Sequence, residues 1–357
     1  MNPTPRSAAA REPELLEAAR GGDEDAFRRL VEPHRNELHA HCYRMLGSVH
    51  DADDALQDAL LRAWRGLARF ERRSSLRSWL YRIATNACLD VISRRPKRVL
   101  PLDHGPAAGP DDDLAEPLTE SVWVEPYADE QLGLEDGYAA PEARYERRES
   151  VELAFIAALQ HLPATQRAAL ILRDVLGFSA REAAEALETT VASVNGALRR
   201  ARKAVAESLP DQTQQATLRA LGDDRLRKVV EGYIDAWERG DVDAILAMLA
   251  EDATFTMPPL PTWYRGRDAI ATFLTRHALQ DRWRLLAARA NGQLAFGCYA
   301  WDAEQSSYTA LSLDVLTLDG TRATEITSFV TPHTRGTSRA RFAADVLGRF
   351  GLPDRLD

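Results

Sequence analysis

The segment FSAREAAEALETTVASVNGALRRARKAV, Phe178 to Val205, crowds Asn195, Arg199, Arg200, Arg202 and Lys203 into little more than two turns of chain. Amide and guanidinium groups at this spacing make and break no bonds. They donate hydrogen bonds to base edges and phosphates. Ser179 with Glu182 three residues on is a capping-box pattern, which starts a helix through Leu187. Thr189 and Thr190 interrupt it, and Thr190 caps a second helix from Val191. Val194, Leu198, Ala201 and Val205 then share one face, and the basic residues occupy the others. The pattern predicts a helix-turn-helix whose second helix enters the major groove. Asn195 and Arg199, one turn apart, reach base edges; Arg200, Arg202 and Lys203 meet phosphate. Glu188 stands where many such turns carry Gly in a left-handed conformation. A basic amphipathic helix is just as often a solvated face, so this pattern alone leaves both readings open.

Other chemistry is sparse. The three cysteines, Cys42, Cys88 and Cys298, lie far apart with no CxxC pair, so no disulfide framework, metal site or cofactor is expected. No run of eighteen apolar residues exists, which argues against a membrane span. The N-terminal stretch carries charge throughout and lacks an apolar signal core, so a cytoplasmic location is expected. The net charge of −9 misleads until it is located. Between Pro101 and Ala143 stand twelve Asp and Glu and no Lys or Arg; without them the chain carries +3. The acidity belongs to a connector, and the remainder is free to be locally basic.

The elements that position these groups fall into three blocks. The first, from about Pro13 to Arg95, is helical. DADDALQDALLRAWRGL places Ala55, Leu56, Ala59, Leu60, Ala63 and Trp64 on one stripe, and SLRSWLYRIATNACLDVISRR turns Leu76, Leu80, Ile83 and Ala87 inward until Pro96. The connector that follows cannot bury enough apolar surface to fold alone, although Trp123 and Tyr127 can anchor it to a neighbour. Helical patterning resumes from Tyr145 to Leu209, and a polar bridge, Pro210 to Asp224, leads on. The last block opens with helices and continues in short β-like runs: ATFTM, QLAFGCYAW, YTALSLDVLTLD and ATEITSFV. Asp319-Gly320 marks a hairpin between the last two. The final twenty residues read as a weakly held tail or terminal helix.

The segment His161 to Val205 resembles region 4, and Ala26 to Arg95 resembles region 2, of bacterial sigma factors of the extracytoplasmic-function (ECF) type; the two stand in the family's order. The resemblance implies two partners, core RNA polymerase and promoter DNA. It assigns the helix DADDALQDALLRAW to the polymerase clamp, with Asp51, Asp54, Gln57 and Asp58 as its polar outer positions. Asn86 and the loop around Arg72 to Ser75 fall where the family captures a flipped non-template base of the minus-ten element. Phe70 fits either that pocket or the core, and Trp79 and Tyr81 read as core. Asn195, Gly196, Arg199 and Arg200 match the minus-thirty-five readout positions, Gly196 offering backbone access only. The linker would thread polymerase channels built for nucleic acid, which carboxylates can occupy; a plain spacer is the competing reading.

Lys228 to Leu274 resembles the SnoaL-like fold, a cone-shaped α+β family that includes ketosteroid isomerases and polyketide cyclases. That resemblance implies an apolar pocket and admits a small-molecule ligand. The isomerases place a catalytic Asp where this chain has Met257, and a thioether cannot abstract a proton. Tyr233 and Asp252 form no defensible acid–base pair, so no catalytic residue is assigned. Sigma factors with such an appendage resemble the subgroup in which it replaces a separate anti-sigma protein. The expected fold class is therefore multidomain: two all-α domains and a C-terminal α+β SnoaL-like cone. Its parts are region 2 (13–98), linker (99–144), region 4 (145–209), linker (210–224), SnoaL-like domain (225–335) and tail (336–357). The expected function is an ECF sigma factor tuned by its own C-terminal domain. The alternatives are a helix-turn-helix regulator independent of polymerase and a SnoaL-like enzyme with a DNA-binding appendage.

Overall fold

A computed structural model describes residues 5–72, 74–109, 112–118, 122–132, 149–210, 212–331 and 346–357. The chain divides into two compact units: 1–96 with 159–207, and 97–158 with 208–357.

The first unit is helical. It contains α1 (Pro5–Arg20), α2 (Glu24–Val31), α3 (Arg35–Leu46), α4 (Val49–Gly66) and α5 (Leu76–Ile92). After α6 (Leu153–His161), part of which belongs to each unit, come α7 (Ala164–Leu170), a π-helical turn at Ile171–Val175, α8 (Ala180–Ala186) and α9 (Val191–Ala206). Side-chain caps start α2, α4 and α5: Asp23, Ser48 and Ser75 each accept from a backbone N–H three residues on. The expected stripes pack inward. Ala55, Leu56, Ala59 and Ala63 of α4 and Leu76, Leu80 and Ala87 of α5 are buried; Leu60, Trp64 and Ile83 are half-buried.

The two halves of this unit join through one buried cation. Arg167 of α7 donates to the carbonyl oxygens of Met45, Gln160 and Leu162 and to Gln160 Oε1. Gln160 in turn donates to the Arg44 carbonyl at 3.3 Å. Burial lowers the Arg167 pKa to about 10, which leaves it charged at neutral pH. Beside it, Tyr81 of α5 meets Phe178 edge-on at 5.3 Å, and the Arg77 guanidinium lies over both rings.

The second unit is built on a sheet of order β2-β1-β6-β5-β4-β3. Its strands are β1 (Leu249–Thr256), β2 (Trp263–Arg265), β3 (Trp283–Ala290), β4 (Gln293–Asp302), β5 (Ser307–Asp319), β6 (Arg322–Val330) and β7 (Arg355–Leu356). The β1–β6 pair is parallel and the others are antiparallel. Helices α10 (Gln214–Glu238), α11 (Val242–Ala247) and α12 (Arg267–Arg276) complete it. The hairpin predicted at Asp319-Gly320 joins β5 to β6, with Gly320 at positive φ.

Three expectations are corrected here. The polar bridge is helical from Gln214, with a break at Gly222 (φ 70°, ψ 168°). Its start is held because the buried Glu152 carboxylate accepts from the backbone N–H of Gln214 and Gln215 at 3.1 and 3.0 Å; burial pushes the Glu152 pKa up to about 7. The stretch WRLLAARA, not expected as a strand, is β3. The end of the chain is no loose tail: Leu347 and Phe350 are buried, and β7 pairs with Tyr308 and Thr309 of β5. Leu352 packs so closely over Gly297 that a Cβ there would lie 2.6 Å from its Cδ1.

The described parts of the acidic connector lie on this second unit, and Trp123 and Tyr127 anchor them as expected. Trp123 Nε1 donates to the Pro259 carbonyl at 2.9 Å, and Ala108 N to that of Trp263 at 2.8 Å. Asn291, in the turn between β3 and β4, closes the clamp. Its Oδ1 accepts from Tyr127 N at 2.8 Å, its N donates to the Tyr127 carbonyl at 2.8 Å, and its Nδ2 donates to the Val151 carbonyl at 2.7 Å. Asn291 and Gly292 both have positive φ, the arrangement of a type I′ hairpin turn. Asn291→Ala should therefore weaken the clamp by about 2–4 kcal/mol, from stranded buried groups and the left-handed backbone. Amide exchange of Val122 to Ala128 in the full chain should accelerate about a hundredfold, with the amides of α4 unchanged.

Candidate functional site

The basic helix α9 is positioned by its caps and its apolar side. Ser179 Oγ accepts from Glu182 N at 3.2 Å and Glu182 Oε2 from Ser179 N at 2.8 Å, completing the capping box of α8. The Ser179 N–H holds the Glu182 carboxyl below its usual pKa. Thr190 Oγ1 accepts from Ser193 N at 3.1 Å and starts α9. Between them Glu188 does adopt the left-handed conformation, at φ 51°. Val194, Leu198, Ala201 and Val205 are buried, so Asn195, Arg199, Arg200, Arg202 and Lys203 are turned to solvent. Arg202 departs from the expected simplicity: its guanidinium binds both oxygens of Asp174, at 2.7 and 2.8 Å. A phosphate contact there would have to displace a bidentate pair. Gly196 is half-buried, and a Cβ would meet Arg200 Nη1 at an ordinary 3.5 Å, so sterics do not demand glycine.

On α4, Asp54 and Gln57 are exposed and Asp58 is half-buried against Arg62 at 2.7 Å. Asp51 is a correction: it is buried rather than outer. Its backbone N–H is capped by Ser48 and its carboxylate pairs with Arg95, because the first turn of α4 faces inward. Near the start of α5, Arg72 is exposed at φ 56°, Arg73 lies outside the described residues, and Ser75 Oγ is engaged as the cap. Asn86 is half-buried on α5. Phe70 and Trp79 are buried and pack on each other at 4.8 Å, and Tyr81 is buried too; all three belong to the core.

The second unit contains a cavity of about 680 Å³, mouth included, lined by Trp237, Phe255, Met257, Phe273 and Trp283 among others. At its polar corner Asp314 Oδ2 accepts from Tyr233 OH at 3.0 Å, and Oδ1 from Ser312 and Ser328 hydroxyls at 3.1 and 2.5 Å. Burial raises the Asp314 pKa, while these donors pull it down. Asp252, weighed above as a partner of Tyr233, is exposed. Sequence reasoning missed Asp314; the available signal was a lone carboxylate in the otherwise apolar run Leu313-Asp314-Val315.

Comparison with known proteins gives three family matches: sigma-70 region 2 at residues 30–98, sigma-70 region 4 at 152–205 and a SnoaL-like domain at 230–343. The chain is 38% identical over 334 residues to the ECF RNA polymerase sigma factor SigG of Mycobacterium tuberculosis, covering 92% of this chain and 85% of that protein. The chain belongs to the ECF sigma factors. It is also 31% identical over 196 residues to SigW of Bacillus subtilis, which matches 55% of this chain and 95% of that one. The crystal structure of Mycobacterium tuberculosis SigJ shares the fold, with TM-score 0.51 and 22% identity over 84% of this chain and 94% of that one.

As an ECF sigma factor the protein works with core RNA polymerase and promoter DNA in transcription initiation. Among the described residues no helix is long and apolar enough to cross a membrane. Glu188 is the one strained position of this sigma factor's helix-turn-helix. Glu188→Gly should relieve about 0.5–1 kcal/mol of left-handed strain, net of glycine's entropy. It should raise the thermal midpoint of the helical unit by a few degrees, and Glu188→Val should lower it.

Proposed function

We propose that this ECF sigma factor docks on polymerase through Asp54, Gln57 and Asp58 of α4. It captures a minus-ten base with Asn86 and the Arg72–Ser75 loop, and reads the minus-thirty-five element with α9. Asn195 and Arg199 approach base edges; Arg200 and Lys203 neutralise phosphate, and Arg202 joins them only by releasing Asp174. The observation that carries this reading is that Val194, Leu198, Ala201 and Val205 of α9 are buried while Asn195, Arg199, Arg200, Arg202 and Lys203 are exposed. The protein acts in the cytoplasm, where polymerase and promoter meet. Its C-terminal unit performs no catalysis, since Met257 stands at the position where the isomerases need a base, and instead regulates by holding the connector. A small molecule in the cavity is its signal.

Run-off transcription with core polymerase on a promoter library tests the roles. Arg199→Ala should cost about 1–3 kcal/mol on the preferred minus-thirty-five sequence and little on others. Lys203→Ala should weaken all sequences alike and reduce the salt dependence by about one ion. Equal losses on specific and random DNA for both would contradict the division. Under the regulatory reading a connector engaged with the C-terminal unit is unavailable to polymerase. Asn291→Ala should therefore raise run-off yield several-fold without reordering promoter preference, and an unchanged yield would reject that reading.

A further inference from the structure

Among the described residues two large apolar side chains are strongly exposed, Leu61 at 47% and Val191 at 42%. Leu61 stands on α4 three residues after Asp58, on the face proposed for polymerase. Val191 opens α9. The core does not need its side chain, because Val194, Ala197, Leu198, Ala201 and Val205 already fill the inner side of the helix. The helix gains little from it either: the Thr190 hydroxyl caps the first turn through Ser193 N, and a β-branched residue is a poorer helix former than alanine. A single exposed valine is ordinary on a protein surface; the place of this one gives it meaning. Val191, Asn195 and Arg199 follow at steps of four, so they share one stripe of α9, and all three are exposed. Ala192 and Ser193 beside Val191 are exposed too, and the first turn carries no carboxylate whose charge would oppose entry into a groove lined by phosphates.

We infer that Val191 reads thymine: its methyl groups pack on the C5-methyl of one A·T pair in the minus-thirty-five element, which makes it a determinant of promoter specificity. This rests on the proposed reading of that element by α9 and adds a residue to it. Matching surfaces decide the partner. Each base pair presents hydrogen-bonding groups on its major-groove edge, and a valine laid over those groups would strand them without water. The thymine methyl is the one apolar group on that edge of unmodified DNA. Asn195 and Arg199 supply directional hydrogen bonds further along the stripe, and Val191 supplies the apolar contact that they cannot make. The N-terminal residues of a recognition helix are those that lie among the base edges, and Val191 is the first residue of α9. Four residues of helix advance about 6 Å and base pairs are about 3.4 Å apart, so the thymine lies within about two base pairs of the one met by Asn195.

Deoxyuridine differs from thymidine by that methyl alone, so single thymine-to-uracil replacements in the preferred minus-thirty-five element isolate the contact. Run-off transcription with core polymerase and limiting full-length protein should fall about fourfold at one thymine, the equivalent of one methyl group removed from water. Asn195→Ala on the promoter library locates the neighbouring base pair. Val191→Ala should erase the thymine-to-uracil ratio at that one position, whereas Lys203→Ala should preserve it. Comparing the ratio between variants cancels any effect of uracil on the duplex itself. A ratio that survives Val191→Ala, the lack of any thymine that responds to loss of its methyl, or an element with no thymine within reach of the Asn195 position would overturn the assignment. So would a lowered melting midpoint in Val191→Ala, which would show that the side chain serves the fold. The Arg199→Ala comparison keeps the two readings apart. Sequence-selective loss there without a Val191-dependent ratio removes this contact and leaves α9 as the reader; no selective loss removes the reading by α9 itself.

Discussion

A chain segment dense in carboxylates cannot condense by itself, because its charges repel and it has little apolar surface to hide. That constraint governs the second unit. Where the connector is described, the second unit satisfies its backbone through the carbonyl oxygens of Pro259 and Trp263, the Thr262 hydroxyl, and the main and side chain of Asn291. Such contacts are indifferent to the connector's acidity. Trp123, Val124, Tyr127 and Ala128 supply the segment's apolar burial, the two aromatic rings contributing the larger areas.

The first unit solves a different problem. Its outer helices must stay polar enough to meet nucleic acid, yet the fold needs a core. It separates the tasks by helical periodicity alone: every apolar residue of α9 named from the pattern is buried, and the basic residues are pushed outward by geometry. Charge placement then adds selectivity among the outward groups. Arg199 and Arg200 are exposed, whereas Arg202 is already engaged by Asp174, so similar side chains on one helix differ in how readily they exchange partners.

Local chemistry was legible in the sequence and tertiary chemistry was not. The capping box at Ser179, the cap at Thr190 and the strained Glu188 involve residues a few positions apart, so spacing alone reveals them. The strand WRLLAARA escaped notice because Leu, Ala and Arg are good helix formers; pairing of its whole length with β4 overrides that preference. The Asn291-Gly292 turn carried the strongest short hairpin signal, yet with β3 unrecognised it had only one visible flank. Asp51 and Asp314 failed for a shared reason. Each is a carboxylate whose partners come from distant sequence, Arg95 for one and Tyr233 and Ser328 for the other, and burial of a charge is decided by such partners.

The seam around Arg167 has an uneven quality. The guanidinium is shared among carbonyl oxygens and an amide, and among the described residues no carboxylate pairs with it. Drawing α7 away from α3 would strand no anion in the interior. What is uncovered is a cation and a few peptide oxygens, groups that water hydrates at once. A joint of this composition is firm while dry and forgiving when wetted, so parting its two halves would break no buried ion pair.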